Sequence, residues 1–244
     1  MKQNKYDDLK FFSAYKQMKR SVKGLEAAGE WHVLRGLLPE LTDKDVLDLG
    51  CGFGWHCLYA RQQQARSAIG VDISEKMLQK AREQTDDSAI SYVHMPIEDI
   101  SFEREQFDLV ISSLALHYVE SFAEVCQKVY EYLKPGGAFI FSVEHPLFTA
   151  RAEQDWHYDD KGNRLHWPVD HYQEEGVRDT TFMTDHVIKY HRTISTYMND
   201  VIGAGFALKA VKEPVPFDEM IKQDAGMKDE WRRPMFLLIA AEKE

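Results

Sequence analysis

An α/β fold on a mostly parallel sheet is what the sequence predicts, from three observations. Short apolar runs alternate with helical stretches from residue 45 to residue 143, at the spacing of right-handed βαβ units. One of those runs, Val46-Leu47-Asp48-Leu49, passes into a glycine-rich turn that opens a helix. The composition is that of an ordinary globular protein: 244 residues, 44% apolar and 29% charged, chain enough for one large domain with a real core.

The elements follow in order. Residues 7–38 read as a helical cover: Leu9, Phe12, Tyr15, Met18 and Val22 keep a helical rhythm, and 30–38 reads as a second helix stopped by Pro39. Strands are expected at 46–49, 68–71, 90–93, 107–112 and 138–143, with helices at 55–64, 75–83 and 122–133 between them. Lys134-Pro135-Gly136-Gly137 reads as a turn that launches the fifth strand. Regularity breaks at 145–191, where Pro146, Pro168 and scattered aromatics interrupt the pattern. A helix at 193–204 ended by Gly205, then strands at 206–211 and 235–241, complete the chain. The expected organisation is one domain over 1–244: a helical cover (1–40), a core (41–145), an inserted segment (146–191) and the end of the sheet (192–244).

Forty acidic against thirty basic residues leave a net charge of −10. A surface of that sign repels phosphate backbones, and the basic clusters 16–20 and 231–233 are too short to reverse it, so no nucleic-acid partner is expected. Cys51, Cys57 and Cys126 form an odd set without CxxC spacing, and the first eight residues lead into no apolar run. Both point to the reducing cytoplasm. No stretch approaches the length of a membrane span, so no membrane partner is expected.

The informative stretch is Asp48-Leu49-Gly50-Cys51-Gly52-Phe53-Gly54. Glycines there let the backbone turn tightly and approach a ligand at a helix N-terminus. The dinucleotide pattern G-x-G-x-x-G fails, because Trp55 and Cys57 stand where its last glycine would fall, and no P-loop Lys-Ser/Thr follows. The acidic Asp48 in front suits a cationic amino-acid moiety better than a pyrophosphate. Asp72, in Gly70-Val71-Asp72-Ile73-Ser74, lies about twenty residues on, where a carboxylate grips a ribose diol. Its plainer reading is a helix N-cap, a task Ser74 performs as well.

With these motifs, and with Gln106-Phe107-Asp108-Leu109-Val110, Ser113-Leu114-Ala115-Leu116-His117 and Leu133–Gly137 following in order, the sequence resembles the class I S-adenosylmethionine-dependent methyltransferases, especially their small-molecule branch. The resemblance covers about residues 40–145. It implies a three-layer, Rossmann-like fold on a seven-stranded sheet whose last strand is antiparallel. It implies S-adenosylmethionine as cofactor, S-adenosylhomocysteine as its product, and a small-molecule methyl acceptor. Residue by residue, Asp48, Gly50, Cys51 and Gly52 are expected to hold the methionine end. Asp72 is expected on the ribose and Ile73 on one adenine face, with Ser112, Ser113 and Leu114 beneath the sulfonium. Relatives often carry Asp-Ala before a Glu-Asp pair; here Pro96 stands at the Asp position, so Ile97 N–H and Glu98 are expected at the adenine. Tyr15, Arg20 and Trp31 of the cover are further candidates for the methionine carboxylate.

Six of the ten histidines lie between 145 and 191 (His145, His157, His166, His171, His186 and His191), without metal-ligand spacing, so no metal is expected. Cys51 reads as a small residue beside the cofactor, not a reactive thiol. The insertion carries Trp156, Tyr158, Trp167, Tyr172 and Phe182, with an alternating stretch at 187–191, and is expected to be a substrate lid with a β-hairpin arm. For the base, His145 at the end of strand 5 and His117 after strand 4 are the candidates. Two other readings stay open: a protein that binds the cofactor without turnover, and a transferase that moves another group from it.

Overall fold

The computed structural model describes residues 2–223 and 225–244. Its central sheet has seven strands: β1 Asp45–Leu49, β2 Ser67–Asp72, β3 Ile90–His94, β4 Phe107–Ser113, β5 Leu133–Glu144, β10 Ala207–Lys212 and β11 Phe236–Glu242. The inserted segment adds two small hairpins, β6 His157–Tyr158 with β7 Arg164–His166, and β8 Gly176–Phe182 with β9 Thr184–His191. The order across the sheet is β3-β2-β1-β4-β5-β11-β10. β1 to β5 run parallel, and β11 is antiparallel to both its neighbours. The order reverses between β1 and β4, which opens a crevice at the strands' carboxyl ends, where ligands bind in sheets of this type.

The helices are α1 Leu9–Tyr15, α2 Lys19–Lys23, α3 Trp31–Leu34, α4 Trp55–Gln62, α5 Glu75–Glu83, α6 Phe122–Tyr132, α7 Pro146–Thr149, α8 Ile194–Gly203 and α9 Asp218–Gln223. Side chains on a strand alternate between faces, and here both faces are apolar. Val46, Ala68, Leu109, Ile111, Ile140, Leu238 and Ala240 pack on one side with Trp31, Leu34, Cys57, Ala60 and Leu78 of α3, α4 and α5. Leu47, Leu49, Val110, Phe139, Phe141, Val143, Leu237 and Ile239 pack on the other with α6 and α8. The result is the three-layer sandwich expected.

Two expectations about local structure change. The cover over 7–38 is not two long helices but short pieces. Asp8 caps α1 by accepting the N–H groups of Lys10 and Phe11, Met18 is extended, and Gly24 ends α2 at φ +68°. A Cβ at Gly24 would lie 3.1 Å from the Trp55 ring, so α4 packs where a helix continuing through 24 would carry a side chain. The second change is at 134–137, which lies inside β5 as a bulge and not ahead of it as a turn. Between the pairs Phe107↔Leu133 and Leu109↔Ala138 the register advances two residues on β4 and five on β5. Lys134 Nζ anchors the bulge on Asp108 and Asp45 at 2.7 and 3.0 Å.

Candidate active site

The glycine loop joins β1 to α4, and Gly50, Gly52 and Gly54 take φ of +75°, +53° and +76°. A side chain at Gly50 would strike Ala115, and one at Gly54 would strike the Tyr92 hydroxyl. Gly52 is different: only Met77 Cε lies near, at 3.5 Å, so its missing side chain leaves the loop open. Asp72, at the end of β2, braces this loop. One carboxylate oxygen accepts Gly52 N–H at 2.9 Å and the other accepts Ser74 N–H at 2.8 Å. Ser74 Oγ itself caps α5, so Asp72 is not spent as the helix cap. Each of its oxygens keeps acceptor capacity. Burial pushes the Asp72 carboxyl up to about 6.

The loop opens on a cavity of about 1030 Å³. That is the upper end of the range of roughly 300–1,000 Å³ for small-molecule sites. Tyr15, Arg20, Gly50, Gly52, Asp72, Ile73, Ile97, Glu98, Ser113, Leu114 and His117 line it, all named from the sequence. Leu114 sits at φ +54° with its N–H on Ser142 O at 2.9 Å, so β5 holds the backbone after β4 in a costly conformation. Ile97 opens a 3-10 turn, and its N–H has no partner within that turn. A small recess beside the loop, lined by Arg20, Cys51 and Trp55 among others, adds Ser21 Oγ and Trp55 Nε1, two buried polar atoms with no hydrogen-bond partner among the described residues. Donors around a glycine loop fit the carboxylate of an amino acid, and the Asp72 oxygens fit a diol.

Other expected residues lie elsewhere. Asp48 does not line the cavity. Strand alternation turns it to the α4 side with Val46, where Cys57 Sγ and His56 Nδ1 each stand 3.8 Å from Oδ2. Burial and the nearby Asp72 raise its carboxyl to about 8. Ser112 is buried and donates to Leu49 O at 2.7 Å, tying β4 to β1. Trp31 packs edge-on against Tyr59 and His56, away from the cavity. Burial pushes the Cys51 thiol up, opposite to what a reactive thiolate needs.

The placement expected for His145 is corrected. Its ring is fully buried behind the strand end: Nδ1 accepts Leu147 N–H at 3.1 Å as the cap of α7, and Nε2 bonds Glu213 at 2.8 Å. Pro146 does fix the backbone there, but at the first turn of a helix whose cap consumes the imidazole. His117 does face the cavity. Its Nδ1 accepts Glu144 N–H at 3.4 Å, so the ring proton belongs on Nε2, and burial lowers its pKa to about 4. Neutral at physiological pH, it presents a donor.

Several residues in or behind the cavity wall escaped the sequence reading. Tyr6 and Tyr118 meet through their hydroxyls at 3.5 Å. Glu30, buried, accepts from Arg20 Nη2 at 3.2 Å and Ser113 Oγ at 2.9 Å. Glu144 and Gln154 bind Lys189, which is 1% exposed. These partners are 10 to 112 residues apart in sequence, so no motif marks them. Residues 2–8 also close over the site: Gln3 exchanges hydrogen bonds with the backbone of His186 and Ile188 on β9, and Asp7 accepts Ser74 Oγ at 2.6 Å.

A parallel sheet with this strand order, a glycine loop at its switch point and a carboxylate closing β2 defines the class I methyltransferase architecture. Comparison with known proteins agrees. A methyltransferase-domain family model matches residues 47–141. A Listeria monocytogenes chain described as an S-adenosylmethionine-dependent methyltransferase superposes with a TM-score of 0.86 at 51% identity, over 91% of this chain and 99% of that one. An S-adenosylmethionine-dependent methyltransferase from Mesorhizobium loti gives 0.84 at 43% identity, over 90% and 100%. An uncharacterized protein of Haemophilus influenzae is 34% identical over 98% of this chain and 96% of its own. The chain belongs to the class I S-adenosylmethionine-dependent methyltransferases. Its cofactor is S-adenosylmethionine and the spent form is S-adenosylhomocysteine. Among the described residues, no helix is long and apolar enough to cross a membrane.

Proposed function

We propose that the protein transfers the methyl group to a small-molecule acceptor held beneath the inserted segment. One observation carries this: the cavity that holds the expected cofactor residues is also walled by the β8–β9 hairpin and by Lys2, Gln3, Lys5 and Tyr6 near the N-terminus. Phe182, Val187, Lys189 and Tyr190 come from the hairpin, Tyr6 from the strap, and Phe148 from α7. A compartment walled in this way suits an acceptor of metabolite size better than a folded macromolecule, and it keeps water from the reacting centre. The cofactor supplies an activated methyl group when bound. The chain's residues have three tasks: to orient donor and acceptor in line, to exclude water, and to receive any proton the acceptor releases.

In this reading Gly50, Gly52, Arg20, Ser21 and Trp55 hold the methionine end. Asp72 accepts from both ribose hydroxyls, Ile73 covers one adenine face, and Ile97 N–H and Glu98 meet the adenine edge. Ser113 and Leu114 run below the sulfonium. Tyr15 packs on the cofactor from the cover. The three cysteines, all free and buried, support a cytoplasmic setting.

The test is to incubate the protein with methyl-labelled S-adenosylmethionine and a cell extract divided by ultrafiltration. Label appearing in the small-molecule filtrate supports the reading. Label confined to RNA or protein in the retentate overturns it.

A further inference from the structure

We propose that Glu144 is the general base that accepts the proton of the methyl acceptor, and that the acceptor therefore presents an amine or a hydroxyl group, not a carboxylate. This rests on the reading above that the cavity holds a small-molecule acceptor.

The position comes first. β2 and β5 are separated by β1 and β4, so Glu144 stands three strand spacings, about 14 Å, from the Asp72 edge. It lies two residues beyond Ser142, whose carbonyl and hydroxyl both hold Leu114 N–H. Its carboxylate faces the cavity at the strand end beside Ser113 and Leu114.

The bonding pattern sets what this carboxylate can do. Lys189 Nζ donates to Glu144 Oε1 at 2.7 Å, to Oε2 at 2.8 Å and to Gln154 Oε1 at 2.9 Å. The ammonium is thereby committed to the Glu144 carboxylate and the Gln154 amide oxygen. Gln154 Nε2 donates to Oε2 at 3.2 Å as well. Glu144 Oε1 thus has one partner and a free lone pair. Burial pushes the Glu144 carboxyl up, but His117 and the Lys189 ammonium outweigh it and hold the carboxyl below its usual range. An acceptor carboxylate in this place would have no proton to give up and would meet a like charge at Glu144. An amine or hydroxyl finds an acceptor ready.

The neighbouring groups do not compete for the role. His117 already accepts Glu144 N–H through Nδ1 and offers a donor at Nε2. His145 is sealed behind α7. The step balances: the acceptor's nitrogen or oxygen lone pair forms the bond to the methyl carbon. The C–S bond breaks with its electron pair remaining on sulfur, and the N–H or O–H proton passes to Glu144 Oε1.

The parent protein is incubated with methyl-labelled S-adenosylmethionine and the small-molecule fraction of an extract, and the product is treated with mild alkali. N-methyl and O-methyl ether products keep their label, whereas a carboxyl methyl ester releases it as volatile methanol. The expected result is retention, with fragment masses placing the methyl on nitrogen or a hydroxyl oxygen. Glu144→Gln should bind the cofactor within about threefold of the parent by calorimetry yet transfer methyl roughly 10²–10⁴-fold more slowly in single turnovers. Release of methanol, or a Glu144→Gln protein working within a few-fold of the parent, overturns the proposal. Should Glu144→Gln fold poorly, the alkali test on the parent still decides. Absence of label in any small molecule, with cofactor binding intact, strikes the function proposed above and not the choice of base alone.

Discussion

Asp72 performs two tasks with one carboxylate, and its protonation links them. It braces Gly52 and Ser74 through their N–H groups, and it is the group proposed to accept from the ribose. Hydrogen bonds to a charged group are the expensive ones to lose, so Asp72→Ala is expected to weaken S-adenosylmethionine binding by about 2–4 kcal/mol. Calorimetric titration checks this, and unchanged affinity removes the ribose assignment. The sign of the pH dependence follows from the raised pKa. The folded protein holds the Asp72 proton up to about pH 6, whereas an unfolded chain gives up such a proton near pH 4. Between those values the folded state binds more protons. Stability from this group is therefore fully present below about pH 4 and is lost as pH rises toward 6. Asp48, raised to about 8, extends the same slope further upward. Cofactor affinity runs the other way, since the ribose needs the ionised carboxylate. It should fall by about tenfold per pH unit below 6 and level off above it. A flat affinity profile from pH 5 to 7 would contradict the assignment.

At the scale of elements, the β1–α4 junction depends on the absence of side chains. Gly54 takes a positive φ, and a Cβ there would drive into the Tyr92 hydroxyl, which β3 presents and Thr85 holds at 2.9 Å. Gly54→Ala is expected to cost about 1–3 kcal/mol from backbone strain alone. Gly36→Ala, where nothing lies within 4 Å, should stay within about 0.5 kcal/mol. Urea midpoints of the two variants decide between strain at this junction and general sensitivity to an added methyl group. The same contrast explains what was legible in the sequence. Strands β1 to β5 and helices α4 to α6 announce themselves through local apolar runs, turn residues and caps. The bulge at 134–137 has the composition of a turn and becomes part of a strand only because β4 and β11 pair on either side of it. The cover has a helical rhythm, but the breaks at Met18 and Gly24 are set by what it packs against, and β6 and β7 lack local periodicity. In the site, the glycine loop and Asp72 were readable because one short segment carries their chemistry. Glu144, Gln154 and Lys189 were not, since the pair forms between a strand end and a hairpin 45 residues away. His145 misled for the reverse reason: its place after strand 5 was right, but the helix it caps turns the ring inward.

The whole molecule is acidic, and its proposed cofactor site is assembled from distant parts of the chain. With a net charge of −10 it should show no salt-dependent retention on DNA or bulk RNA at physiological ionic strength. A salt-sensitive gel shift with tRNA would overturn the small-molecule reading. The distribution of the site carries a second expectation. Tyr15 and Arg20 come from the cover, Gly50 and Gly52 from the end of β1, Asp72 from β2, Ile97 from the turn after β3, and Ser113 from β4. An unfolded chain holds none of these together, so S-adenosylmethionine binds the folded state alone. At a free concentration 100 times its dissociation constant it should add about 2.7 kcal/mol of stability. For a chain of this size each kcal/mol raises the melting temperature by roughly 2–4 °C, so the expected rise is about 5–10 °C. The rise should shrink at pH 5, where Asp72 is largely protonated, and it should nearly vanish in Asp72→Ala. Thermal melts with and without the cofactor at pH 5 and pH 7.5 make the comparison. An equal rise at both pH values would show that the cofactor is held without the Asp72 carboxylate, and would move the ribose contact to another residue of the cavity.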